Sequence, residues 1–512
     1  MYDMLVVGGG INGVGIARDA AGRGLKVALC EQHDLAAHTS SASSKLVHGG
    51  LRYLEQRAFG MVRHALAERA VLLRLAPHIV TPLRVVLPHA PHLRPAWMIR
   101  LGLWLYDHLG GRDEVLPRSR ALRLEHDPLG DALRVNIGSA FVYSDAQVPD
   151  ARLVVLNALD AHERGAEIWT RTTCVAAERG EDHWTLRLRG PDEADRFVRA
   201  RMLVNATGPW AARFCNGISL TPPPPLRLVQ GSHIVVPRLF AHDHAYLLQQ
   251  PDQRVVFVIP FDQATTLVGT TDVEFMDDPA RSTPTASEVD YLCAAVNRSF
   301  RQRISRSDVL WMFSGVRPLI DEVGVPARAV TRDYRLELDG AGAPLLNVLG
   351  GKLTTYRRLA EQAVDSLLQG EPAAPSRWTA DGPPLPGGDL GIPARVTAVL
   401  QEQAPWLPPS IATRWAASYG SRALRILHMA RSLADLGLDF GAGLHEAEVR
   451  YLMAHEWART ADDVLWRRTR LGLAFDERQR RRLQQWLDSN VNGAVPGSPP
   501  PPPSRRDAFS SP

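Results

Sequence analysis

Residues 4–31 read "MLVVGGGINGVGIARDAAGRGLKVALCE", two apolar runs separated by a glycine-punctuated turn and a stretch of helical composition. Met4 to Val7 has the length and apolarity of a buried strand, and Gly8-Gly9-Gly10 breaks it. Ile11 to Ala21 reads as a helix, Gly22-Arg23-Gly24 ends it, and Leu25 to Cys30 resumes a strand that closes at Glu31. A strand–helix–strand unit places its two strands side by side in parallel, and parallel sheets are covered by helices on both faces. The spacing Gly8-x-Gly10-x-x-Gly13 permits a tight turn, close approach of backbone to a pyrophosphate, and close packing of helix on strand. The helix start adds unpaired N–H groups and the positive end of a dipole. Glu31, about 20 positions on at the end of the second strand, is placed to accept hydrogen bonds from ribose hydroxyls. This segment predicts a Rossmann-like α/β fold that binds a dinucleotide.

The next polar stretch, residues 39–55, reads "TSSASSKLVHGGLRYLE". An NAD site has no evident need for such a run, whereas FAD requires the chain to line the remaining pyrophosphate and the flavin. Ser40, Ser41, Ser43, Ser44 and Lys45 supply hydroxyl donors and one cation for that purpose. A polar surface loop with a helix N-cap accounts for the serines equally well. Two further segments favour the nucleotide reading. Leu203 to Trp210, "LVNATGPW", is a buried-type strand ending in a small-residue turn that lets backbone approach a nucleotide. Gly350-Gly351-Lys352 is a glycine turn that opens a helix carrying Leu359, Ala363, Val364, Leu367 and Leu368, with Gly370 as its cap. A helix start at that point would set positive potential near the pyrimidine end of a flavin. Gly49-Gly50 would let the backbone pass close to the ring, with His48, Arg52 and Tyr53 beside it.

The remaining sequence bounds the answer. At about 150 residues per domain, 512 residues predict about three domains or lobes. A hydrophobic content of 45% and a charged content of 22% suit a protein that buries a substantial core. The net charge of +4 is small and no long basic tract occurs, so nucleic-acid binding gains no support. Of the 59 basic residues only Lys26, Lys45 and Lys352 are lysines, and two of those three fall in the serine- and glycine-rich motifs. A compact ammonium reaches a crowded site as a point charge, which a planar guanidinium cannot do. The four cysteines are scattered with no C-x-x-C pair, which fits reduced thiols in a cytoplasmic protein and offers no metal framework. Neither a secretory signal nor an apolar run of ~20 residues is expected, so the chain is either soluble or attached to a membrane surface.

The organisation follows from these shifts in pattern. FAD-binding segments are expected at about 1–85, 150–215 and 330–370, and an antiparallel, β-rich substrate lobe at about 86–149 and 216–329. Residues 371–388, rich in Pro and Gly, read as a linker, 389–490 as a C-terminal helical domain, and 491–512 as a disordered proline-rich tail.

Taken together, the strings "GGGINGVGIARDAAGRGL", "TSSASSKLVHGGLRYLE", "LRPAWMIRLGLWLYDHLG", "LVNATGPW", "GSHIVVPR", "GTTDVE", "SGVRPL", "GGKLTTYR" and the helical "HEWARTADDVLWRRT" resemble the FAD-dependent, quinone-linked glycerol-3-phosphate dehydrogenases over roughly residues 3 to 490. The resemblance implies oxidation of sn-glycerol 3-phosphate to dihydroxyacetone phosphate. A base takes the C2 hydroxyl proton, hydride passes to the flavin, and electrons go on to a membrane quinone. It implies FAD contacts from Gly8, Gly10, Ile11, Asn12, Gly13, Glu31, Ser40, Ser41, Ser44, Lys45, His48, Gly49, Gly50, Val175, Ala206, Gly208, Gly351, Lys352, Leu353 and Thr354. It assigns Arg52 and Arg317 to the substrate phosphate or developing oxyanion, with Arg332 as a further candidate. Lys352 is placed near flavin and substrate, Tyr53 orients the substrate, and His48 or His233 is the base, since histidine titrates near ~6.5. Some relatives carry a basic residue where this chain has Gln230, which can offer only hydrogen bonds.

A quinone acceptor implies contact with a membrane. Residues 96–109, "AWMIRLGLWLYDHL", are too few to span a bilayer but suit an interfacial helix, with upstream His92 and Arg94 facing anionic lipid. A buried core helix fits the same residues. The expected location is the cytoplasm, peripherally attached to the inner face of the cytoplasmic membrane, and a homodimer is among the expected assemblies. Three other readings stay open at this point: an oxygen-using glycerol-3-phosphate oxidase, an inactive flavin-binding redox sensor or membrane scaffold, and an NAD-dependent dehydrogenase.

Overall fold

The structure is a computed structural model, and it describes residues 1–55, 57–89, 95–110, 116–134, 137–321, 333–370 and 376–491. The opening segment folds as its pattern requires. Strand β1 (Tyr2–Val7) leads through the glycine turn into helix α1 (Ile11–Gly22), and strand β2 (Val27–Glu31) returns beside β1 in parallel. Small residues along α1 let it sink between the helices Asp150–Glu163 and Tyr356–Leu367. A methyl group added at Gly15 would come within 2.8 Å of the Tyr356 ring. Apolar side chains such as Val14, Ile16, Leu156 and Leu359 are fully buried there. Each contributes about 1.5–3 kcal/mol.

The first sheet has eight strands. Its path runs Tyr334–Asp339, Leu345–Gly350, Asp195–Asn205, β1, β2 and Glu167–Thr170, and a hairpin of Thr173–Arg179 and Trp184–Arg189 extends from it. The four pairings from Leu345–Gly350 across to Glu167–Thr170 are parallel, with Val7 level with both Cys30 and Asn205, and Asn205 level with Asn347. Three turns therefore leave the sheet at one edge: Gly8 after β1, Ala206 after Asn205, and Gly350 at the end of its strand. Ligands of parallel α/β sheets bind outside the carboxyl ends of the strands for this reason.

A second sheet of ten strands faces that edge. It is antiparallel except where Ala245–Gln249 runs parallel to Thr81–His89. The chain enters it at Leu46–Val47, well before the expected boundary near residue 85, and strand Thr81–His89 belongs to it too. Strand Leu226–Pro237 lies between Trp311–Ile320 and Thr265–Gly269, which puts His233 level with Phe313 and Gly269.

The C-terminal helices Pro393–Gln403, Pro409–Tyr419, Glu446–His455 and Glu477–Val491 enclose their own core around Trp415, Tyr419 and Leu452. Of the stretch read as a linker, residues 376–388 are docked rather than extended. The Trp378 indole N–H donates to Asp19 O at 3.0 Å, its ring lies where a side chain at Gly22 would stand, and Leu385 is buried. The aromatic ring, missed by a reading based on Pro and Gly content, supplies the adhesive surface. Residues 371–375 and 492–512 lie outside the described residues, as do His92, Arg94 and Arg332.

Ion pairs, several of them buried, join the helical domain to the loop, turn and helix that flank the first sheet. Arg468 donates to both carboxylate oxygens of Asp34 at 2.8 Å, and Arg467 reaches the same group at 2.6 Å. Arg171 pairs with Asp463 at 2.6 Å and Arg422 with Glu163 at 2.5 Å, and Arg152 pairs with Glu456.

Candidate active site

One cavity of about 1390 Å³ runs from the glycine turn to the second sheet. Gly8, Gly10, Ile11 and Asn12 line one end, and Ala206, Gly208, Val175 and Glu31 stand beside them. Gly8 holds φ at +114°, which favours glycine. Gly13 lies off the cavity and does another task, since a methyl group there would meet the Gly8 carbonyl at 1.9 Å. No side chain at Gly10 caps α1, although the Ile11 N–H donates to Ser40 Oγ at 3.0 Å. The Glu31 carboxylate accepts from the Gly9 and His33 N–H groups at 2.7 Å each. Burial raises its pKa, and those two N–H bonds oppose the shift. Among the described residues no group donates to the buried Asn12 Oδ1. An elongated cavity, a glycine cradle, an open helix start and an unsatisfied buried amide oxygen together fit FAD. Glu31 would hold the ribose, Ser40 and the α1 N-terminus the pyrophosphate, and Gly351 to Thr354 the flavin, because those four also line the cavity.

The serine run divides its labour. Ser40, Ser43 and Ser44 reach the cavity wall, whereas Ser41 and Lys45 stand behind it. Ser41 Oγ donates to His38 O, and the Lys45 ammonium pairs with Asp150 Oδ1 at 2.7 Å. The other Asp150 oxygen accepts from the Ser43 N–H and hydroxyl at 3.0 and 2.8 Å. Asp150, at the start of helix Asp150–Glu163, thus fastens the loop to the first sheet, and the Thr39 hydroxyl fastens it to the second by donating to Val316 O at 2.8 Å.

At the other end, His48, Gly50, Arg52, Tyr53, Arg317 and Lys352 line the same cavity. Gly50 sits at φ +73°, and a methyl group on it would collide with the Tyr53 ring at 2.3 Å. The Lys352 ammonium lies 4.1 Å from the centroid of that ring and 3.1 Å from Met61 Sδ. Gly49 lies behind the wall, where its N–H donates to Tyr106 Oη at 2.8 Å, and Tyr106 donates in turn to Asp145 at 2.6 Å. Arg317 donates to Asp272 Oδ1 at 2.5 Å and to Thr270 Oγ1 at 2.9 Å. His233 does not line the cavity. It is buried, stacked on Phe313 at 4.9 Å, and contacts Ser44 Oγ through Nε2 at 2.9 Å. Burial, then the charges of Arg317 and Lys45, push its pKa well below the ordinary histidine value, so it is neutral. The geometry therefore separates two histidines that the motifs left equivalent.

Sequence reasoning gave no role to Thr270 and Asp272, although they stand in the "GTTDVE" string, nor to Asp150 or Glu288. Gln230 points away from the cavity, its amide donating to Glu288 Oε2 at 2.8 Å. Among the described residues no group of three or more His, Cys, Asp or Glu could hold a metal ion.

Comparison with known proteins matches residues 3–357 to the family of FAD dependent oxidoreductases and residues 379–488 to the C-terminal domain of alpha-glycerophosphate oxidase. The chain is 53% identical to a glycerol-3-phosphate dehydrogenase of Pseudomonas aeruginosa over 96% of its length and 95% of the relative's. It is 48% identical to a D-erythritol 1-phosphate dehydrogenase of Brucella abortus, covering 95% of this chain and 98% of that one. Among solved structures, the glycerol-3-phosphate dehydrogenase of Bacillus halodurans complexed with FAD superposes with a TM-score of 0.74 at 26% identity, covering 96% and 95% of the two chains.

Proposed function

The chain belongs to the FAD-dependent oxidoreductases, alongside the glycerol-3-phosphate dehydrogenases, and on that footing we propose that it oxidises sn-glycerol 3-phosphate to dihydroxyacetone phosphate. One observation carries the reading. His48, Arg52, Tyr53, Arg317 and Lys352 come from three separate segments and meet on the wall of the cavity that begins at the dinucleotide turn. FAD, when bound, supplies the acceptor for the hydride that C2 gives up.

The chain's own groups do the rest. A phosphate near pH 7 carries about −1.5 to −2 charges, which the planar forks of Arg317 and Arg52 match. Lys352, steadied against the Tyr53 ring, sets a point charge beside the oxygen on C2 as its proton leaves. His48 receives that proton, because it faces the cavity and His233 does not. Apolar side chains of Leu87, Leu247 and Phe257 line the same space and limit water.

The electron acceptor in this reading is a membrane quinone, reached from an anionic lipid surface. Helix Ala96–Leu109 buries only Leu103 and Tyr106 and exposes Trp97 and Trp104 at 64% and 56%, with Met98 and Leu101 beside them. That face suits an interface, where aromatic rings sit at headgroup level. No helix among the described residues is long and apolar enough to cross a membrane.

Anaerobic mixing with sn-glycerol 3-phosphate tests the reading directly: the flavin absorbance should bleach, and a short-chain quinone should restore it faster than oxygen does. D-erythritol 1-phosphate in a parallel mixture is expected to bleach the flavin more slowly. Bleaching by the four-carbon substrate alone would overturn the proposed substrate.

A further inference from the structure

Behind Arg317 lies a buried carboxylate, Glu288, that none of the sequence motifs includes. It is the third residue of helix Ala286–Ser299 and closes a reciprocal cap with Thr285. Its Oε1 accepts from Thr271 Oγ1 at 2.6 Å and from Ser232 Oγ at 2.7 Å. Its Oε2 accepts from Gln230 Nε2 at 2.8 Å and from the Thr285 N–H at 2.9 Å. No cation pairs with it among the described residues, so neutral donors alone support its charge. Burial opposes ionisation, but the hydrogen bonds from Thr271, Thr285 and Ser232 outweigh it and hold the carboxyl below its ordinary pKa.

Those donors surround the seat of Arg317. Side chains alternate along a strand, so Gln230 and Ser232 point to one face and Gly231 to the other. On that other face a methyl group at Gly231 would meet Arg317 Nη2 at 2.2 Å, which means the guanidinium lies directly over Gly231. Beyond it, the turn Thr270-Thr271-Asp272 receives the guanidinium through the Thr270 hydroxyl and the Asp272 carboxylate. Thr271, between them, gives its hydroxyl proton to Glu288 and accepts the Ser232 N–H at 2.9 Å.

We propose that Glu288 is a positioning residue for Arg317: one carboxylate ties the strand beneath the guanidinium to the turn that receives it, and so aims Arg317 at the substrate phosphate. The inference rests on the assignment of Arg317 to that phosphate. A basic side chain at position 230 would then pair with Glu288 instead of reaching the cavity.

The test is Glu288→Gln. Glutamine also serves in a reciprocal helix cap, so flavin content and thermal unfolding should stay close to wild type. Its single acceptor oxygen cannot take hydroxyl and amide donors on both sides. The KM for sn-glycerol 3-phosphate and the Ki of inorganic phosphate should therefore rise together by about tenfold, the size of one charge-assisted hydrogen bond, with kcat changed much less. Thr271→Val should do the same without touching the cap. In an Arg317→Ala background Glu288→Gln should add nothing further. Equal losses in both backgrounds would mark a merely structural role and overturn the proposal, as would a silent Glu288→Gln beside an effective Arg317→Ala. If Arg317→Ala itself left phosphate inhibition unchanged, the phosphate assignment would fall and this inference with it.

Discussion

The Ser44 hydroxyl and His233 Nε2 lie 2.9 Å apart, with Ser44 on the cavity wall and His233 behind it. His48 stands on the wall itself. Loss of a general base lowers turnover by about 10²–10⁴. His48→Asn should show a fall of that order and lose the acid limb of the kcat/KM profile. His233 is held neutral, so it takes up no proton between pH 6 and 8 and contributes no limb there. His233→Gln should keep the limb at reduced activity, and pH-rate profiles of the two variants would distinguish them.

Lys352 over the Tyr53 ring makes a second prediction. A cation held on a ring face contributes about 1 kcal/mol, or roughly fivefold in affinity. Tyr53→Phe retains the ring and should leave most of that; Tyr53→Leu should raise KM about fivefold. Equal effects from the two would mean that the hydroxyl, not the ring, matters.

Arg468 meets Asp34 where both are buried. Removing one partner of a buried pair costs up to about 3–5 kcal/mol, a loss that Arg467 on the same carboxylate softens here, whereas replacing both with neutral groups costs far less. Arg468→Met should lower the unfolding temperature and speed flavin loss, because Asp34 sits in the loop between Glu31 and Ala36 that lines the cavity. Asp34→Asn with Arg468→Met should recover much of both, as read by calorimetry and flavin release.

Burial raises the pKa of Asp145 from 3.8 to about 6, despite the nearby Arg69. The folded chain therefore holds this proton more tightly than the unfolded chain does. Stability falls as pH rises from about 4 through 6, and the ionised group then costs about 3 kcal/mol. Asp19, also raised to about 6 by burial, adds a slope of the same sign. Asp145→Asn should thus shrink, without abolishing, the drop in unfolding temperature between pH 5 and pH 7.

The exposed tryptophans give the last prediction. Trp97→Ser with Trp104→Ser should weaken sedimentation with vesicles of anionic lipid and slow quinone reduction in them. Activity with a soluble dye should persist, since neither ring lines the cavity. Unchanged sedimentation would remove this helix from the membrane contact.

The parallel unit was legible because each of its cues is local: strand length, glycine spacing and an acid at the strand end all lie within residues 4–31. The residues on the cavity wall were legible as types, since Gly, Ser, His and Arg gather in two short strings. Their depth was not. Lys45 and Gly49 share a motif with cavity residues yet face inward, because Asp150 and Tyr106 capture them from distant parts of the chain, and His233 is held behind the wall against Ser44, 189 positions away. Trp378 was misjudged for the same reason. Its partners Asp19 and Gly22 lie more than 350 positions away.

The union of Asp34 with Arg467 and Arg468 also orders events in time. Their partners stand 433 and 434 positions apart in sequence, so the loop beside the nucleotide turn waits for nearly the whole chain before its carboxylate is neutralised. A ribosome that has released only the parallel sheet offers a cradle whose Asp34 loop still lacks these pairings. Firm capture of the coenzyme belongs to the final moments of synthesis, and chains cut short before Arg467 should emerge colourless.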